Sequence, residues 1–377
     1  MMKKVLFILG TRPEAIKLAP LIIEMKKNKF FEVCVCNTEQ QKDLSNQTLS
    51  YFGIRPDFYL DAMRPNQGLV QVQNKILEEL NKLMSQSKFD AVVVQGDTMT
   101  VLCGALVAYY HKTPFFHVEA GLRSNAIYEP FPEEGIRQMV SRLATLHFAP
   151  TLRAQKNLLE ENIPENKIMI TGNTGIDSLF CLLSTVQADA RNQLSSYGIN
   201  FRKKIILVTV HRRENHGTRL QSILEAVLFL SRSYQQYQYI IPVHPNPNVQ
   251  LAVNKILGNA KNIVLTPPLS YPCLVNVLQR ASLVITDSGG IQEEAPTFGV
   301  PILVTRYETE RVEGIEAGFA KLVGSSREKI VQEAGNILQN ETYSIMNRAC
   351  DANPYGDGRA SGRIVDAIQI YFENFDE

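Results

Sequence analysis

The chain has 377 residues, of which 45% are hydrophobic and 20% are charged, and its formal net charge is only +1. Because domains usually hold about 100–200 residues, this length favours two domains of an ordinary globular protein. A surface for nucleic acid or for an acidic membrane needs a basic excess, so the charge balance argues against both. Any basic site must therefore be local.

The start of the chain predicts no targeting signal. The apolar run Val5–Leu9 is too short for the core of a signal peptide and leads directly into Gly10. No stretch reaches transmembrane length. The six cysteines show no C-x-x-C spacing and most lie in apolar runs, which indicates free thiols in a reducing compartment. Together these features predict a cytoplasmic protein.

Short runs rich in Val and Ile alternate with helical patterns along the chain, which is typical of parallel strands buried between helices. The helical patterns include Ala15–Lys27, Val70–Leu83 and Gln221–Leu230. A first group of strands is predicted at Val5–Leu9, Val33–Cys36, Ala91–Gln95, Phe115–Val118, Leu146–Ala149 and Ile168–Ile170. A second group is predicted at Ile205–Val210, Tyr239–Val243, Ile263–Leu265, Leu283–Thr286, Ile302–Thr305 and Ala320–Val323.

Two groups of strands predict an α/β fold with two Rossmann-like, doubly wound lobes and an active site in the cleft between them. Gly172-Asn173 ends the last strand of the first group, so we place the N-terminal lobe at residues 1–172 and the C-terminal lobe at 173–360. The polar segment Gln187–Lys204 is a second candidate boundary. Residues 361–377 are predicted to form a C-terminal helix that can pack back on the N-terminal lobe.

The motif after the first strand suits a phosphate, because ligands bind beyond the carboxyl ends of parallel strands. Thr11 can cap a helix whose first turn holds Pro13 and Glu14. Arg12 and Lys17 then lie beside the positive end of that helix. An ordinary helix start with solvated charges explains the same motif about equally well.

Three carboxylates follow later strands of the first group. Asp97 comes after the third strand, and Glu119 ends the fourth on the same side as His117. Glu133 lies at a helix start, where Glu134 is expected only to decorate the helix N-terminus. We expect Asp97, Glu119 and Glu133 to converge at one cleft.

Two strands of the second group end in histidines, His211 and His244. A single histidine at a strand end is more often structural than catalytic. Here Arg212 and Arg213 follow His211 directly, which indicates an anion site.

The strongest phosphate signal is Ser288-Gly289-Gly290, between a strand and a helix. Its glycines leave backbone N–H groups bare at the helix N-terminus. Glu294, one turn further on, can reach a sugar hydroxyl, and the next strand leads to Arg306 and Arg311.

Several ligand motifs are absent from the sequence. It has no G-x-G-x-x-G fingerprint, no G-x-x-x-x-G-K-[ST] loop, no H-E-x-x-H and no cysteine cluster. It also lacks the D-x-D pair of metal-dependent sugar transferases. We therefore expect no nicotinamide cofactor and no metal, with phosphates neutralised by Arg, Lys, His and helix termini.

With these motifs the chain resembles the non-hydrolysing UDP-N-acetylglucosamine 2-epimerases of bacteria. The resemblance covers nearly the whole chain in order. It rests on Gly10–Lys17, Gln95–Thr98, His117–Arg123, Pro132–Glu134, His211–Glu214, Pro242–Asn246, Asp287–Pro296, Glu310-Arg311 and Asn353–Gly358. Gly10-Thr11-Arg12-Pro13-Glu14 fits the N-acetylglucosamine group, whereas hydrolysing and diacetamido uronic acid epimerases tend to show G-S-R-A-E and G-A-R-P-Q there.

The resemblance implies a fold like that of two-lobed nucleotide-sugar glycosyltransferases (GT-B-like), usually in a homodimer. It implies interconversion of UDP-GlcNAc and UDP-ManNAc without a cofactor, with UDP-ManNAc feeding surface polysaccharide synthesis. The implied catalytic residues are Asp97, Glu119, Glu133 and His211. The implied UDP-sugar contacts are Arg12, Lys17, Leu269, Leu274, Ser288, Gly289, Gly290, Glu294 and Arg311.

Three segments depart from the family pattern. Gln40-Gln41-Lys42 stands where Gln-His-Arg is typical, and Val312 replaces the proline of Glu-Arg-Pro-Glu. Leu269 and Leu274 occupy a uridine-side loop that often carries Gln and Phe.

Some bacterial members need a second UDP-GlcNAc as an activator. The matching pocket here contains Gln40, Asp43, Asn66, Arg212 and His244. Because Asp43 repels a diphosphate and Asn66 brings no cation, we expect weak or absent activation.

Two alternative functions would account for most of these sequence features. A two-lobed glycosyltransferase has the same phosphate cradle but needs an acceptor groove and a single base. A nucleotide-sugar-binding regulator without turnover has no need of three carboxylates. Deuterium incorporation at C2 of the sugar in heavy water separates an epimerase from both.

Overall fold

The computed structural model describes residues 2–64, 67–183, 187–339 and 353–375. They form two compact units: unit 1 contains Met1–Cys181 and Tyr355–Glu377, and unit 2 contains Leu182–Pro354. This division falls inside the helix Thr174–Leu183, and the predicted boundary at residues 172 and 173 lies just before that helix.

Unit 1 is built on a parallel sheet of seven strands within the described residues. They are β1 (Lys3–Leu9), β2 (Phe31–Asn37), β3 (Phe58–Tyr59), β4 (Ala91–Gln95), β5 (Phe115–Val118), β6 (Leu146–Ala149) and β7 (Ile168–Ile170). Their order across the sheet is β3-β2-β1-β4-β5-β6-β7. The first group of predicted strands is confirmed, whereas β3 was not predicted because two residues carry no periodic signal.

Helices cover both faces of this sheet. They are Arg12–Lys27, Lys42–Tyr51, Leu69–Gln86, Met99–Tyr110, Glu133–Leu143, Leu152–Glu160, Thr174–Leu183 and Ala360–Phe375. One face packs its apolar side chains against the helices Leu69–Gln86 and Met99–Tyr110. The other face packs against Arg12–Lys27 and the last helix, which contributes Ile364, Ile368 and Phe372 to this core.

Unit 2 repeats the same strand order. Its described strands are β8 (Lys204–Thr209), β9 (Tyr237–Pro242), β10 (Ile263–Thr266), β11 (Ala281–Thr286), β12 (Ile302–Val304) and β13 (Ala320–Leu322), arranged as β10-β9-β8-β11-β12-β13. Its helices are Gln187–Ser196, Thr218–Ser233, Pro247–Leu257, Tyr271–Leu278, Gly289–Glu294, Val312–Glu316 and Arg327–Gln339. The second group of predicted strands is thereby confirmed. Both sheets are doubly wound, as the alternating sequence pattern predicts.

The strand order of each sheet reverses beside its first strand. In unit 1 this switch point lies between β1 and β4, and in unit 2 between β8 and β11. Loops that leave such a pair at the carboxyl end diverge to opposite faces and leave a crevice for a ligand. The segments Gly10–Arg12 and Gly96–Thr98 lie at the first switch point, and His211 and Asp287–Gly289 lie at the second.

No described helix is both long enough and apolar enough to cross a membrane. The cysteines Cys34, Cys36, Cys103, Cys181 and Cys273 are free, and Cys350 lies outside the described residues. Cys181 is half-buried and the other four are buried, as the apolar runs around them indicate.

A buried carboxylate from another helix caps the start of the last helix of unit 1. Asp177 is 5% exposed and accepts hydrogen bonds from the backbone N–H groups of Ser361 (2.7 Å) and Ala360 (3.3 Å). Burial raises the pKa of this carboxyl group, and the two N–H groups act against that effect. Asp177 therefore joins the chain's return segment to the helix Thr174–Leu183.

We expect Asp177→Ala to lower the free energy of unfolding by about 1–2 kcal/mol, as loss of a helix cap does. Asp177→Asn keeps one acceptor and should lower it less. Urea unfolding of the full chain, followed by circular dichroism, measures both variants. Equal losses in the two would contradict a capping role.

Candidate active site

Asp97 and Glu119 follow neighbouring strands of unit 1, β4 and β5, whose ends are paired at Gln95 and Val118. The topology thus brings the two carboxylates to one edge of the sheet. Glu133 is the first residue of the helix Glu133–Leu143. A side chain of that same helix, Arg137, contacts Asp97, so this helix packs beside the loop that carries Asp97.

Glu119 is held by two polar side chains. Its Oε2 atom contacts Lys17 Nζ and accepts a hydrogen bond from Gln95 Nε2 at 3.1 Å. The Lys17 and Glu119 side chains are only 11% and 8% exposed, so this is a largely buried ion pair. Glu119 also has a backbone φ of 63°, which is uncommon outside glycine and is concentrated at functional sites. Lys17, predicted as a phosphate ligand, contacts a carboxylate here.

Asp97 is clamped by Arg137, a residue that the sequence analysis did not single out. Arg137 donates to Asp97 Oδ2 from Nε (2.8 Å) and from Nη2 (2.7 Å). Its Nη1 atom donates to Glu134 Oε2 at 3.1 Å, and Glu134 also accepts from the backbone N–H of Ser124 at 3.0 Å. Arg137 lies four residues after Glu133 and so shares its helix face, which is the signal that could have identified it.

The expectation that Glu134 only decorates a helix N-terminus is wrong. Glu134 is fully buried and anchors Arg137, because a buried guanidinium needs carboxylate partners. Glu133 differs from Glu134 in its surroundings. Its Oε2 atom is buried and has no hydrogen-bond partner among the residues that the structure describes. A buried acceptor of this kind needs a donor from elsewhere.

His117 holds the loop that carries Asp97. It is 1% exposed, and its Nε2 atom donates a hydrogen bond to the carbonyl of Gly96 at 2.7 Å. Burial lowers the pKa of this imidazole to about 4. His117 is therefore neutral near pH 7.

The start of the helix Arg12–Lys27 is organised by Glu14. Thr11 caps the helix, as predicted, and a capping box with Glu14 is present. The buried Glu14 carboxylate accepts from the N–H groups of Gly10 (2.9 Å) and Thr11 (2.7 Å) and from Thr98 Oγ1 (2.6 Å). The backbone N–H of Arg12 donates to Gln41 at 3.0 Å.

Of the residues predicted for an activator pocket, Gln40 accepts a hydrogen bond from Thr100 at 3.1 Å. Asp43 is exposed in the first turn of the helix Lys42–Tyr51. Asn66 lies outside the described residues. Arg212 and His244 belong to unit 2.

In unit 2, Asp287 is fully buried and organises the segment after β8. Its carboxylate accepts from the backbone N–H of Arg212 (2.9 Å), from Asn215 Nδ2 (2.9 Å) and from His211 Nδ1 (3.1 Å). Burial by itself would raise the pKa of Asp287, but the hydrogen bond and charge of His211 and the other donors outweigh it and lower this pKa. The His211 ring stacks on His244 with centroids 5.9 Å apart.

Arg311 is held between two glutamates. Its Nε donates to Glu293 Oε1 at 3.0 Å, and its Nη1 contacts Glu310. Glu310 also pairs with Arg306 at 2.9 Å. Burial would raise the pKa of Glu310, but Arg311 and Arg306 lower it far below its usual range. The guanidinium of Arg311 lies against Gly289, where an added Cβ would be 2.8 Å from Cζ.

The other predicted UDP-sugar contacts of unit 2 lie in the segment Ser288–Glu294 or in an apolar core cluster of that unit. Ser288 precedes the helix Gly289–Glu294, and its N–H donates to Thr286 Oγ1 at 2.9 Å. Glu294 is 7% exposed and accepts from the Tyr271 hydroxyl at 3.0 Å. Leu269 belongs to an apolar core cluster, and Leu274 packs against that cluster. Among the described residues no group of three His, Cys, Asp or Glu could hold a metal ion.

Comparisons with known proteins agree with this architecture. Residues 23–369 match the family described as UDP-N-acetylglucosamine 2-epimerase. The UDP-N-acetylglucosamine 2-epimerase of Escherichia coli strain K12 is 45% identical over 371 residues, or 97% of this chain and 98% of that enzyme. The crystal structure of UDP-GlcNAc 2-epimerase from Neisseria meningitidis bound to UDP-GlcNAc has a TM-score of 0.91 and 40% identity, and the match covers 97% of this chain and 99% of that one.

Another solved structure resembles this chain in fold alone. The glycosyltransferase of kitacinnamycin is 10% identical with a TM-score of 0.66, and the match covers 98% of each chain. The chain is thus an α/β protein with two Rossmann-like units in the GT-B-like class. Within that class it belongs to the UDP-N-acetylglucosamine 2-epimerase family, whose members are isomerases.

His117 gives a testable pH dependence. Its folded pKa of about 4 lies below the ordinary 6.5, so the unfolded chain binds more protons between these values. We expect His117 to lower the free energy of unfolding by up to about 1.4 kcal/mol per pH unit as the pH drops from 6.5 towards 5. His147 is also buried, its pKa is lowered to about 3, and it should add a fall of the same size. Denaturant titrations across this range measure the slope, and NMR should show no His117 titration above pH 5. A His117 midpoint near 6.5 would contradict the burial argument.

Gly289 and Gly290 form a matched pair. Gly289→Ala places a methyl group against the Arg311 guanidinium, and such overpacking should cost about 1–3 kcal/mol of stability. Gly290→Ala meets nothing within 4 Å and should leave stability unchanged or raise it by up to about 1 kcal/mol through helix propensity. Thermal unfolding compares them, and equal midpoints would refute the close packing.

Proposed function

We propose that this enzyme interconverts UDP-N-acetylglucosamine and UDP-N-acetylmannosamine by reversible epimerisation at C2 of the sugar. The Neisseria meningitidis relative, whose structure is of the complex with UDP-GlcNAc, supports this choice of substrate. The observation that carries the proposal is the carboxylate arrangement of unit 1. Asp97 and Glu119 follow neighbouring strands, and Glu133 has a buried oxygen in need of a donor.

The proposed reaction begins at the leaving group. The hydrogen on C2 is not acidic, because no carbonyl is adjacent to that carbon, so a carboxylate alone cannot remove it. If the bond to UDP breaks first, C1 becomes oxocarbenium-like and the hydrogen on C2 becomes acidic. A carboxylate then takes that proton and leaves a glucal with UDP still bound. Protonation of C2 from the other face and return of UDP complete the epimerisation.

This order requires groups that stabilise the departing diphosphate, which is commonly the largest catalytic term. We assign this task to Arg12, His211, Arg311 and the Ser288–Gly290 turn, with Lys17 serving both the diphosphate and Glu119. Glu294 is assigned to a sugar hydroxyl, and Leu269 and Leu274 to the uridine side.

Proton transfer on two faces of the sugar favours two carboxylates over one. Glu119 and Asp97 are the stronger candidates for removing and returning the proton, because each is held by a buried cation that fixes its direction. Glu133 is available as the third acid–base group.

Membership of the family supports a proposal for the wider role. We propose that the enzyme acts in the cytoplasm as a homodimer, without nicotinamide cofactor or metal, and that its product supplies surface polysaccharide synthesis.

We also propose that activation by a second UDP-GlcNAc is weak or absent, since exposed Asp43 opposes a diphosphate. Initial rates should then rise hyperbolically with UDP-GlcNAc, and a sigmoidal curve would argue for an activator site.

Proton NMR of UDP-GlcNAc with the enzyme in heavy water tests the proposed function. An epimerase exchanges the C2 hydrogen for deuterium and forms UDP-ManNAc. A nucleotide-sugar-binding regulator leaves the substrate unchanged. A glycosyltransferase leaves C2 protonated and consumes the sugar only when an acceptor is present. Absence of deuterium at C2 would therefore reject the proposal.

We expect Glu119→Gln and Asp97→Asn each to lower turnover by about a hundredfold or more, as for positioned acid–base groups. UDP binding should be largely retained, because these carboxylates act on the sugar. Glu79→Gln serves as the control, since Glu79 lies on the helix Leu69–Gln86 and pairs there with half-buried Lys75 at 2.7 Å. Calorimetry that shows loss of UDP binding in either variant would make that carboxylate structural.

A further inference from the structure

The switch point of unit 2 brings a buried carboxylate beside an imidazole. Asp287 directly follows β11, and its backbone N–H donates to the carbonyl of Thr209 at the end of β8, at 3.1 Å. His211 comes two residues after Thr209. Because β8 and β11 are paired in register at Thr209 and Thr286, the backbone fixes the distance between the two loops.

The hydrogen bonds of Asp287 determine which nitrogen of His211 carries the proton. Asp287 Oδ2 accepts from the N–H of Arg212 and from Asn215 Nδ2, both at 2.9 Å. Asp287 Oδ1 lies 3.1 Å from His211 Nδ1. An ionised carboxylate can only accept, so Nδ1 must carry the hydrogen. The His211 side chain as a whole is 42% exposed, and Nε2 is the ring nitrogen that does not face Asp287.

The orientation of the His211 ring is restrained by its other neighbour as well. The ring of His244 stacks on it with an interplanar angle of 16°. His244 is itself oriented, because its Nδ1 accepts from the backbone N–H of Asn246 at 3.2 Å. His211 is therefore held by a carboxylate at Nδ1 and by a ring against its face.

We propose that Asp287 is a positioning residue for His211 that dictates its tautomer, so that the ring takes up its second proton on Nε2. The resulting imidazolium directs an N–H and a positive charge outward, where a leaving diphosphate would develop charge. The proton stays on the ring and only a hydrogen bond is donated. This inference rests on the proposed function for its consequence but not for its geometry.

Asp287→Asn reverses the arrangement. The amide oxygen must take the place of Oδ2, because Arg212 and Asn215 both donate there. The amide NH₂ group then faces His211 Nδ1, which must accept and cannot be protonated. The ring keeps one proton on Nε2 and does not become a cation.

Nitrogen-15 NMR tests the tautomer without any activity. We use the full chain at a pH where the ring is neutral, and assign the His211 signals by their loss in His211→Gln. The expected result is protonated Nδ1 in the unsubstituted enzyme and protonated Nε2 in Asp287→Asn. Asn215→Ala removes a donor to the same carboxylate and should leave the tautomer unchanged. Protonated Nε2 in the unsubstituted enzyme would overturn the proposal even if Asp287→Asn fails to fold.

A double-mutant cycle tests the consequence. Asp287→Asn should lower kcat about tenfold while KM changes less than about threefold, because Nε2 still donates but the ring has lost its charge, and a charge-assisted hydrogen bond is roughly twice as strong as a neutral one. In a His211→Gln background the same substitution should lower kcat less than about twofold, because a residue that acts through another shows no additive effect. If the kcat losses of the two single variants multiply in the double variant, Asp287 acts only on the fold. Absence of C2 deuterium exchange in the unsubstituted enzyme would reject the proposed function and leave the tautomer result standing.

Discussion

A buried carboxylate at the switch point ties two loops together in each unit, and the arrangement of both sites depends on this contact. In unit 1, Glu14 accepts from the backbone of Gly10 and Thr11 after β1 and from Thr98 after β4. In unit 2, Asp287 after β11 accepts from the segment that follows β8. The loops that follow parallel strands bring unpaired backbone N–H groups to this edge, and a buried carboxylate satisfies several of them at once.

The two carboxylates differ in what surrounds them. Burial raises the pKa of Glu14, and the neutral hydroxyl and N–H groups that donate to it lower this pKa by less than burial raises it. Burial acts in the same direction on Asp287, but there the hydrogen bond and charge of His211 lead the pKa-lowering effects and outweigh it. The first carboxylate therefore serves mainly to join loops, whereas the second is also linked to a titratable side chain. Removing either would leave several buried donors unpaired, which is costly.

Several charged groups near these two switch points are held in pairs. Lys17 contacts Glu119, Arg137 clamps Asp97, and Arg311 is shared by Glu293 and Glu310. Such pairing is what permits largely buried charges, since an unpaired one would be strongly destabilising. It also fixes the direction of each carboxylate before a ligand arrives, which is how a site avoids reorganisation during the reaction. Glu133, with its buried oxygen lacking a partner among the described residues, departs from this rule.

The sequence by itself determined the α/β class, the two groups of strands and the motifs that follow them. Periodicity, capping residues and glycines act over a few neighbouring positions, so Thr11 and the Ser288–Gly290 turn could be recognised without a structure. Strand β3 was not predicted from the sequence, because two residues are too few to show a hydrophobic period.

Only the tertiary structure decided which side chains meet. Arg137 and Asp97 are 40 residues apart in the chain, and His211 and Asp287 are 76 apart. Glu134 is buried because its helix packs on the sheet, which no local pattern of charge reveals. Pairings of this kind follow from strand order and helix packing, because the energy of a buried charge depends on distant partners and not on its neighbours in sequence.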